Sequence, residues 1–151
     1  MSGGLVVLLD LNYTLVCNSE EKNRQFVEQI RGERYRAWLI DLCRPHYTIL
    51  MTARPVRHAD ATLASLLDKT GWQPAEWHFN ARNLPPPVWK RIALEESVFP
   101  AHGKPESGTR YLALESNPRS RAMYAGRGIP ALRWEDVEGL KLLPGAETRH
   151  D

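Results

Sequence analysis

"LVVLLDLNYTL" (Leu5–Leu15) decides the reading of this chain. Five apolar residues, Leu5 to Leu9, run straight into Asp10, and Asn12 and Thr14 follow at two-residue steps. The run does not alternate with polar residues, so it describes a strand covered on both faces, as in a parallel sheet between layers of helices. A carboxylate at the end of such a strand marks the edge where the sheet opens to solvent.

Working outward, short apolar runs alternate with segments of helical period, the order expected of a parallel sheet with crossover helices. Strands are expected at Leu5–Asp10, Tyr47–Met51, Glu76–Phe79, Tyr111–Leu114 and Ile129–Trp134. Residues 20–31 read as helical. Tyr35, Trp38, Leu39 and Leu42 fall at i, i+3, i+4 and i+7 and place one apolar stripe on a helix ending before Pro45. Asp60, Leu63 and Leu67 open a helix that Gly71 can stop. Pro85, Pro86 and Pro87 lead into a helix through Val88, Ile92 and Val98, proline being tolerated in a first turn. Another helix begins at Pro118. The expected fold is α/β: a three-layer, Rossmann-like parallel sheet of about five strands, helices on both faces and no large cap domain. Residues 1–143 form one domain in this reading, and residues 144–151, "PGAETRHD", are expected to be a disordered tail.

With 151 residues, 42% hydrophobic and 25% charged, the chain suits a single core. Its longest apolar runs fall far short of the roughly 20 residues that span a bilayer, and no basic segment precedes an apolar signal core, so a cytoplasmic protein with no membrane partner is expected. Cys17 and Cys43 have neither metal-type spacing nor the density of a disulfide framework and read as structural thiols. The five histidines, His46, His58, His78, His102 and His150, show no ligand spacing. A net charge of +2 does not by itself imply nucleic acid.

In open parallel sheets, sites form beyond the carboxyl ends of the strands. Asp10 to Thr14, then Thr52, Ala53 and Arg54, then Glu115, Ser116 and Asn117 occupy three such ends. Two carboxylates and a hydroxyl on adjacent strand ends suit an oxyanion together with a divalent metal. Lys90 is placed to complete the electrostatics, with Lys104 in "HGKPESG" as the weaker candidate. Taken singly, Asp10 and Thr52 would be ordinary turn or cap residues and Lys90 a solvated helix residue. Glu115 stands out more, because a charge that ends the buried run Leu112, Ala113, Leu114 requires a partner.

"LLDLNYTL", "ILMTARP", "WKRIALEE" and "YLALESNPRS" resemble the four motifs of the haloacid dehalogenase-like hydrolase superfamily, in order and each at an element boundary, from residue 5 to about 134. The resemblance implies a phosphatase in which Asp10 is the nucleophile. Phosphate would meet the backbone N–H groups of Leu11 and Asn12, Thr52 with its neighbours Ala53 and Arg54, and Lys90. Magnesium would be held by the carboxylate of Asp10, the backbone carbonyl of Asn12 and Glu115, with Ser116 acting through water. Thr14 is expected to shape the loop through its side chain.

Two departures matter. Relatives in that superfamily carry an aspartate where this chain has Asn12; that aspartate protonates the leaving group and then deprotonates water. An amide cannot exchange that proton, and general acid–base catalysis contributes about 10² to 10⁴ in rate. Ser116 stands where a second acid is common, which lowers the negative charge offered to a metal. The alternatives are therefore a slow or specialised phosphatase, a phosphate- or nucleic-acid-binding relative that has lost turnover and, ranked lowest, dehalogenase or phosphonate chemistry.

The gaps from Asp10 to Thr52 and from Thr52 to Lys90 are already filled by expected elements, so the cleft should be open to large substrates. "WKRIALEESVFP" and "YLALESNPRSRAMYAGRGIPALRW" are similar to the phosphatase half of phage-type polynucleotide kinase-phosphatases. The resemblance implies a phosphorylated nucleotide or polynucleotide end as substrate. Arg54 and Arg57 just beyond the phosphate positions, and Arg119 and Arg121 near the metal end, either contact flanking phosphates or cap and solvate helix ends.

Overall fold

The computed structural model describes residues 4–141; the expected tail at 144–151 lies outside them. Strands β1 (Leu5–Leu9), β2 (Tyr47–Pro55), β3 (Glu76–Asn80), β4 (Arg110–Leu114) and β5 (Ala131–Leu132) form one sheet in the order β3-β2-β1-β4-β5. Every pairing is parallel. The α/β Rossmann-like architecture read from the sequence is the architecture observed, and no large cap interrupts it.

The non-alternating run in β1 acts as expected of a strand covered on both sides. Val7 and Leu9 point into one core with Leu39, Ile40, Leu50, Leu63 and Leu66. Val6 and Leu8 point into the other with Ile49, Met51, Trp89, Ala113 and Tyr124. Helices α1 (Phe26–Gly32), α2 (Ala37–Cys43) and α3 (Ala59–Thr70) follow the strands on the first side of the sheet. Helices α4 (Pro86–Ala93), α5 (Phe99–His102) and α6 (Pro118–Ala125) serve the second. Gly71 closes α3 at φ +71°, a left-handed backbone that costs glycine nothing.

Some boundaries differ from the sequence reading. β2 runs on to Pro55, so Thr52, Ala53 and Arg54 lie within its last turns of pleat rather than after it. The helix expected to extend from the proline run to Val98 instead widens into a π-helical turn at Leu94–Val98. The fifth strand is two residues long. Trp134, expected at its end, opens α7 (Trp134–Lys141), because Asp136 accepts a hydrogen bond from the Arg133 N–H and starts the helix there. An edge strand pairs on one side only, which leaves little to resist this.

Strand order reverses between β1 and β4, at the middle of the sheet, from which the chain winds both ways. Crevices for ligands form there, beyond the carboxyl ends of the strands. Asp10 and Glu115 are the residues next after those two strands, and Asp10 N–H still bonds to Leu114 O at 3.0 Å. No helix of the described residues is long and apolar enough to cross a membrane.

Candidate active site

Asp10 is delivered by β1 and then held by a wide turn whose flanks, Leu11 and Leu15, are fully buried. The Asp10 carboxylate has a donor on each oxygen: Lys90 Nζ at 2.8 Å from Oδ1 and the Thr14 hydroxyl at 2.8 Å from Oδ2. Thr14 thus shapes the loop, as expected, by gripping the carboxylate itself. Ser116 has one proton for two acceptors, Thr14 Oγ1 at 2.6 Å and the Tyr13 carbonyl at 2.8 Å, and so ties the turn to the end of β4.

Lys90 lies in the second turn of α4 and is buried with its ammonium between two carboxylates, 2.8 Å from Asp10 and 2.6 Å from Glu115. Lys104, the other lysine weighed from sequence, is exposed in the connection leading to the amino end of β4, at the opposite edge of the sheet. Burial works against the Lys90 charge, but Asp10 and Glu115 outweigh it and hold the ammonium above the ordinary lysine pKa. Glu115 pays the other side of this arrangement: burial, then the neighbouring Asp10 charge, push its carboxyl up to about 8 despite Lys90 and the Asn117 N–H on Oε2. One cation between two carboxylates leaves the cluster short of positive charge.

That shortage is the test of whether magnesium suits the site. Two carboxylates that share a single ammonium are a fitting donor set, since magnesium is usually bound through one or two carboxylates with phosphate oxygens and water completing its shell. The backbone carbonyl of Asn12 is independent of the side chain there. Among the described residues no cluster of three or more His, Cys, Asp or Glu side chains is arranged to hold a metal without such help.

Thr52 is buried, and its Oγ1 accepts the Arg54 N–H at 3.0 Å, which leaves the hydroxyl proton free to be donated. Ala53 is half-buried beside it. Arg54 is where the structure departs most from the sequence reading. Its guanidinium, expected at phosphates, is enclosed and paired with both oxygens of Glu33 at 3.0 and 2.5 Å, with Thr62 Oγ1 at 2.9 Å and with Asn12 Oδ1 at 2.8 Å. A guanidinium only donates, so the Asn12 atom facing it must be the carbonyl oxygen, and the amide N–H₂ is turned elsewhere. Arg54 therefore orients Asn12, and Glu33 holds Arg54. Sequence reasoning missed Glu33, which lies in the connection between α1 and α2 with no local pattern to betray it.

The other arginines divide. Arg121 donates to the carbonyls of Glu115 and Ser116 at 3.1 and 2.9 Å and so fixes the end of β4 instead of facing outward. Arg57 and Arg119 are exposed. Asn117 caps α6 by accepting from the N–H groups of Arg119 and Ser120. Both cysteines are free; burial drives the Cys43 thiol up to about 12, as suits a structural residue.

No protein-family model matches the chain, and no curated protein matches it. Solved structures do share its fold. One chain of the Pnkp1/Rnl/Hen1 RNA repair complex superposes with a TM-score of 0.67 at 13% identity, covering 86% of this chain and 42% of its own length. A second structure of the Pnkp1/Rnl/Hen1 complex gives 0.67 and 13%, covering 88% of this chain and 46% of its own. This chain therefore spans less than half of either neighbour, and the likeness at that identity is one of fold.

Proposed function

We propose that this chain is a haloacid dehalogenase-like, magnesium-dependent phosphomonoesterase that acts through an aspartyl-phosphate at Asp10, on the phosphorylated end of a nucleotide or polynucleotide. The observation that carries the reading is the Asp10–Lys90–Glu115 cluster at the strand-order reversal, with Thr14 gripping the second oxygen of Asp10 and Thr52 alongside. The fold shared with a chain of an RNA repair complex supports the choice of nucleic acid over other phosphomonoesters.

In this mechanism an Asp10 carboxylate oxygen attacks phosphorus, and the bond to the leaving-group oxygen breaks with its electron pair. Water supplies the proton that oxygen needs. A second water then attacks phosphorus, the bond to Asp10 breaks, and inorganic phosphate and the free carboxylate are regenerated. Lys90 neutralises charge on Asp10 before attack and on the phosphoryl oxygens afterwards, and Thr52 donates a hydrogen bond to them. Asp10, Glu115 and the carbonyl of Asn12 would hold magnesium, which when bound would supply the positive charge that lets two anions approach.

Asn12 supports a second reading, a domain that binds phosphate with little turnover. Fixed through Arg54, its amide can offer a hydrogen bond to the leaving group but no proton. The two readings part in an assay of magnesium-dependent phosphate release from 3′- and 5′-phosphorylated oligonucleotides and small phosphomonoesters. On the enzymatic reading the wild type turns over and Asp10→Asn loses about 10⁴-fold or more. Asn12→Asp gains about 10² to 10⁴ as an acid–base group is restored. An inert wild type with an active Asn12→Asp variant establishes the binding reading instead, and full activity in Asp10→Asn removes the mechanism.

A further inference from the structure

Tyr13 sits at the rim of the candidate site in a conformation that folding alone does not favour. Its φ is +63°, a region that bulky residues occupy at a cost and glycine occupies freely. The backbone is pinned there, with its N–H donated to Ser19 Oγ at 2.7 Å and its carbonyl accepting from Ser116. Yet the ring gains little burial in return: Tyr13 is 49% exposed. Lys22 Nζ lies 5.0 Å from the ring centroid.

A second aromatic group lies against Arg54, the residue that holds Asn12. Phe26 and His58 are stacked with centroids 4.3 Å apart and planes 14° from parallel. The guanidinium carbon of Arg54, which holds Asn12, is 4.9 Å from the Phe26 centroid. Phe26 and His58 are both partly exposed, and Val56, beside them, is 53% exposed. Burial, with the charges of Arg57 and Arg54, lowers the His58 pKa below the ordinary histidine value. Arg24 and Arg57 are exposed and form no ion pair among the described residues.

Aromatic faces interleaved with unpaired cations around a phosphate site are the elements with which proteins hold single-stranded nucleic acid, bases on rings and backbone on charges. We infer that Tyr13 and the Phe26–His58 pair form a nucleobase platform for the end of a single-stranded polynucleotide, with Lys22, Arg24 and Arg57 along its backbone. The inference rests on the phosphate site proposed above and adds what selects the substrate. The spread of positive charge beyond the phosphate site is complementary to the extended backbone of a polynucleotide, and the absence of a large cap leaves room for a strand to approach.

The test uses the full chain, fluorescence-anisotropy binding of 3′- and 5′-phosphorylated single-stranded oligonucleotides, the same strands with abasic terminal nucleotides, and hydrolysis of acetyl phosphate as a base-free substrate. Tyr13→Gly removes the ring while suiting the backbone, so it folds at least as well as wild type; thermal denaturation checks this. His58→Ala removes a partly exposed ring. Each variant is expected to bind base-bearing ends about 5- to 150-fold more weakly, the worth of stacking one base. Abasic ends bind wild type with a similar deficit, and the variants do not weaken them further. The ratio of kcat/KM on oligonucleotide to that on acetyl phosphate falls in step.

Equal affinity of wild type for base-bearing and abasic ends overturns the platform, even if acetyl phosphate is hydrolysed and the phosphatase reading stands. Loss of all hydrolysis with base-dependent binding intact overturns the phosphatase reading and leaves the platform. Binding of a phosphoserine peptide as tight as that of the oligonucleotide, and insensitive to Tyr13→Gly, also overturns the platform.

Discussion

Glu115 and Glu76 lie at opposite edges of the same sheet, both enclosed by polar neighbours, yet their pKa values move in opposite directions. At the carboxyl edge Glu115 shares one ammonium with Asp10, and its pKa is pushed up to about 8 by burial and the neighbouring carboxylate. At the amino edge Glu76, the first residue of β3, also feels burial pushing it up. Hydrogen bonds from His102, His78 and the Tyr47 hydroxyl outweigh that push and hold it below the ordinary value. Those partners lie at 2.8, 2.7 and 3.0 Å. The difference is one of satisfaction: three donors serve a single carboxylate at one edge, while a single cation serves two at the other. A cluster that only stabilises the fold can be completed by the chain itself, whereas one that stays short of charge suits a cation or a polarised substrate from outside.

Lys90→Met should break that contrast with the largest effect on folding. It strands two adjacent buried carboxylates, and removing one partner of a buried ionic group costs about 3 to 5 kcal/mol, measured as a fall in the urea midpoint at constant slope. Adding Glu115→Gln to the variant should restore part of the loss. A cost under about 1 kcal/mol, the range of surface pairs, would mean the cluster is not a buried one in solution. Magnesium comes next. A cation that fills the charge deficit at a hundred times its dissociation constant adds about 2.7 kcal/mol to stability, so the wild-type Tm should rise by several degrees on titration and the rise should shrink in Glu115→Gln. An unchanged Tm in both would leave the carboxyl edge without its cation.

What the amino-acid sequence makes legible follows the same divide. The run Leu5–Leu9 announces a doubly covered strand because each of its residues meets a helix layer, and a carboxylate at its end is visible for the same reason. Glu115 after Tyr111–Leu114 obeys the identical logic. Lys90 was reachable because the proline run fixes where α4 begins. The supports behind these residues were not legible. Glu33 and Arg54 meet only through folding, since neither has periodicity or a neighbour that points to the other. Thr14 and Ser116 touch at 2.6 Å across the β1–β4 reversal, a contact set by tertiary pairing. Trp134 looked like the end of a strand because it follows an apolar stretch; its ring instead covers the guanidinium of Arg36 at 3.5 Å, and Arg36 in turn donates to the Thr14 carbonyl. Glu76, His78 and His102 hid for a related reason: the two histidines lie on different elements, and nothing in their spacing brings them to one carboxylate.

Glu76→Gln carries the smallest effect and tests the satisfied edge. The amide keeps the shape and can still accept from two donors, and a neutral histidine can change tautomer to accept from its N–H₂, so only the charge-assisted part of the bonding is lost. About 1 kcal/mol of stability should go at pH 7, with no change in phosphate release, because this cluster is at the far edge from Asp10. The pH dependence gives the sharper reading. A carboxyl whose folded pKa lies below its unfolded value of 4.5 stabilises the fold above that pH and loses the contribution as the pH falls through the folded pKa. The urea midpoint of wild type should therefore drop more steeply below pH 4.5 than that of Glu76→Gln. Parallel curves would mean that the three donors do not favour the ionised form, and the two edges of the sheet would no longer differ in the way their geometry implies.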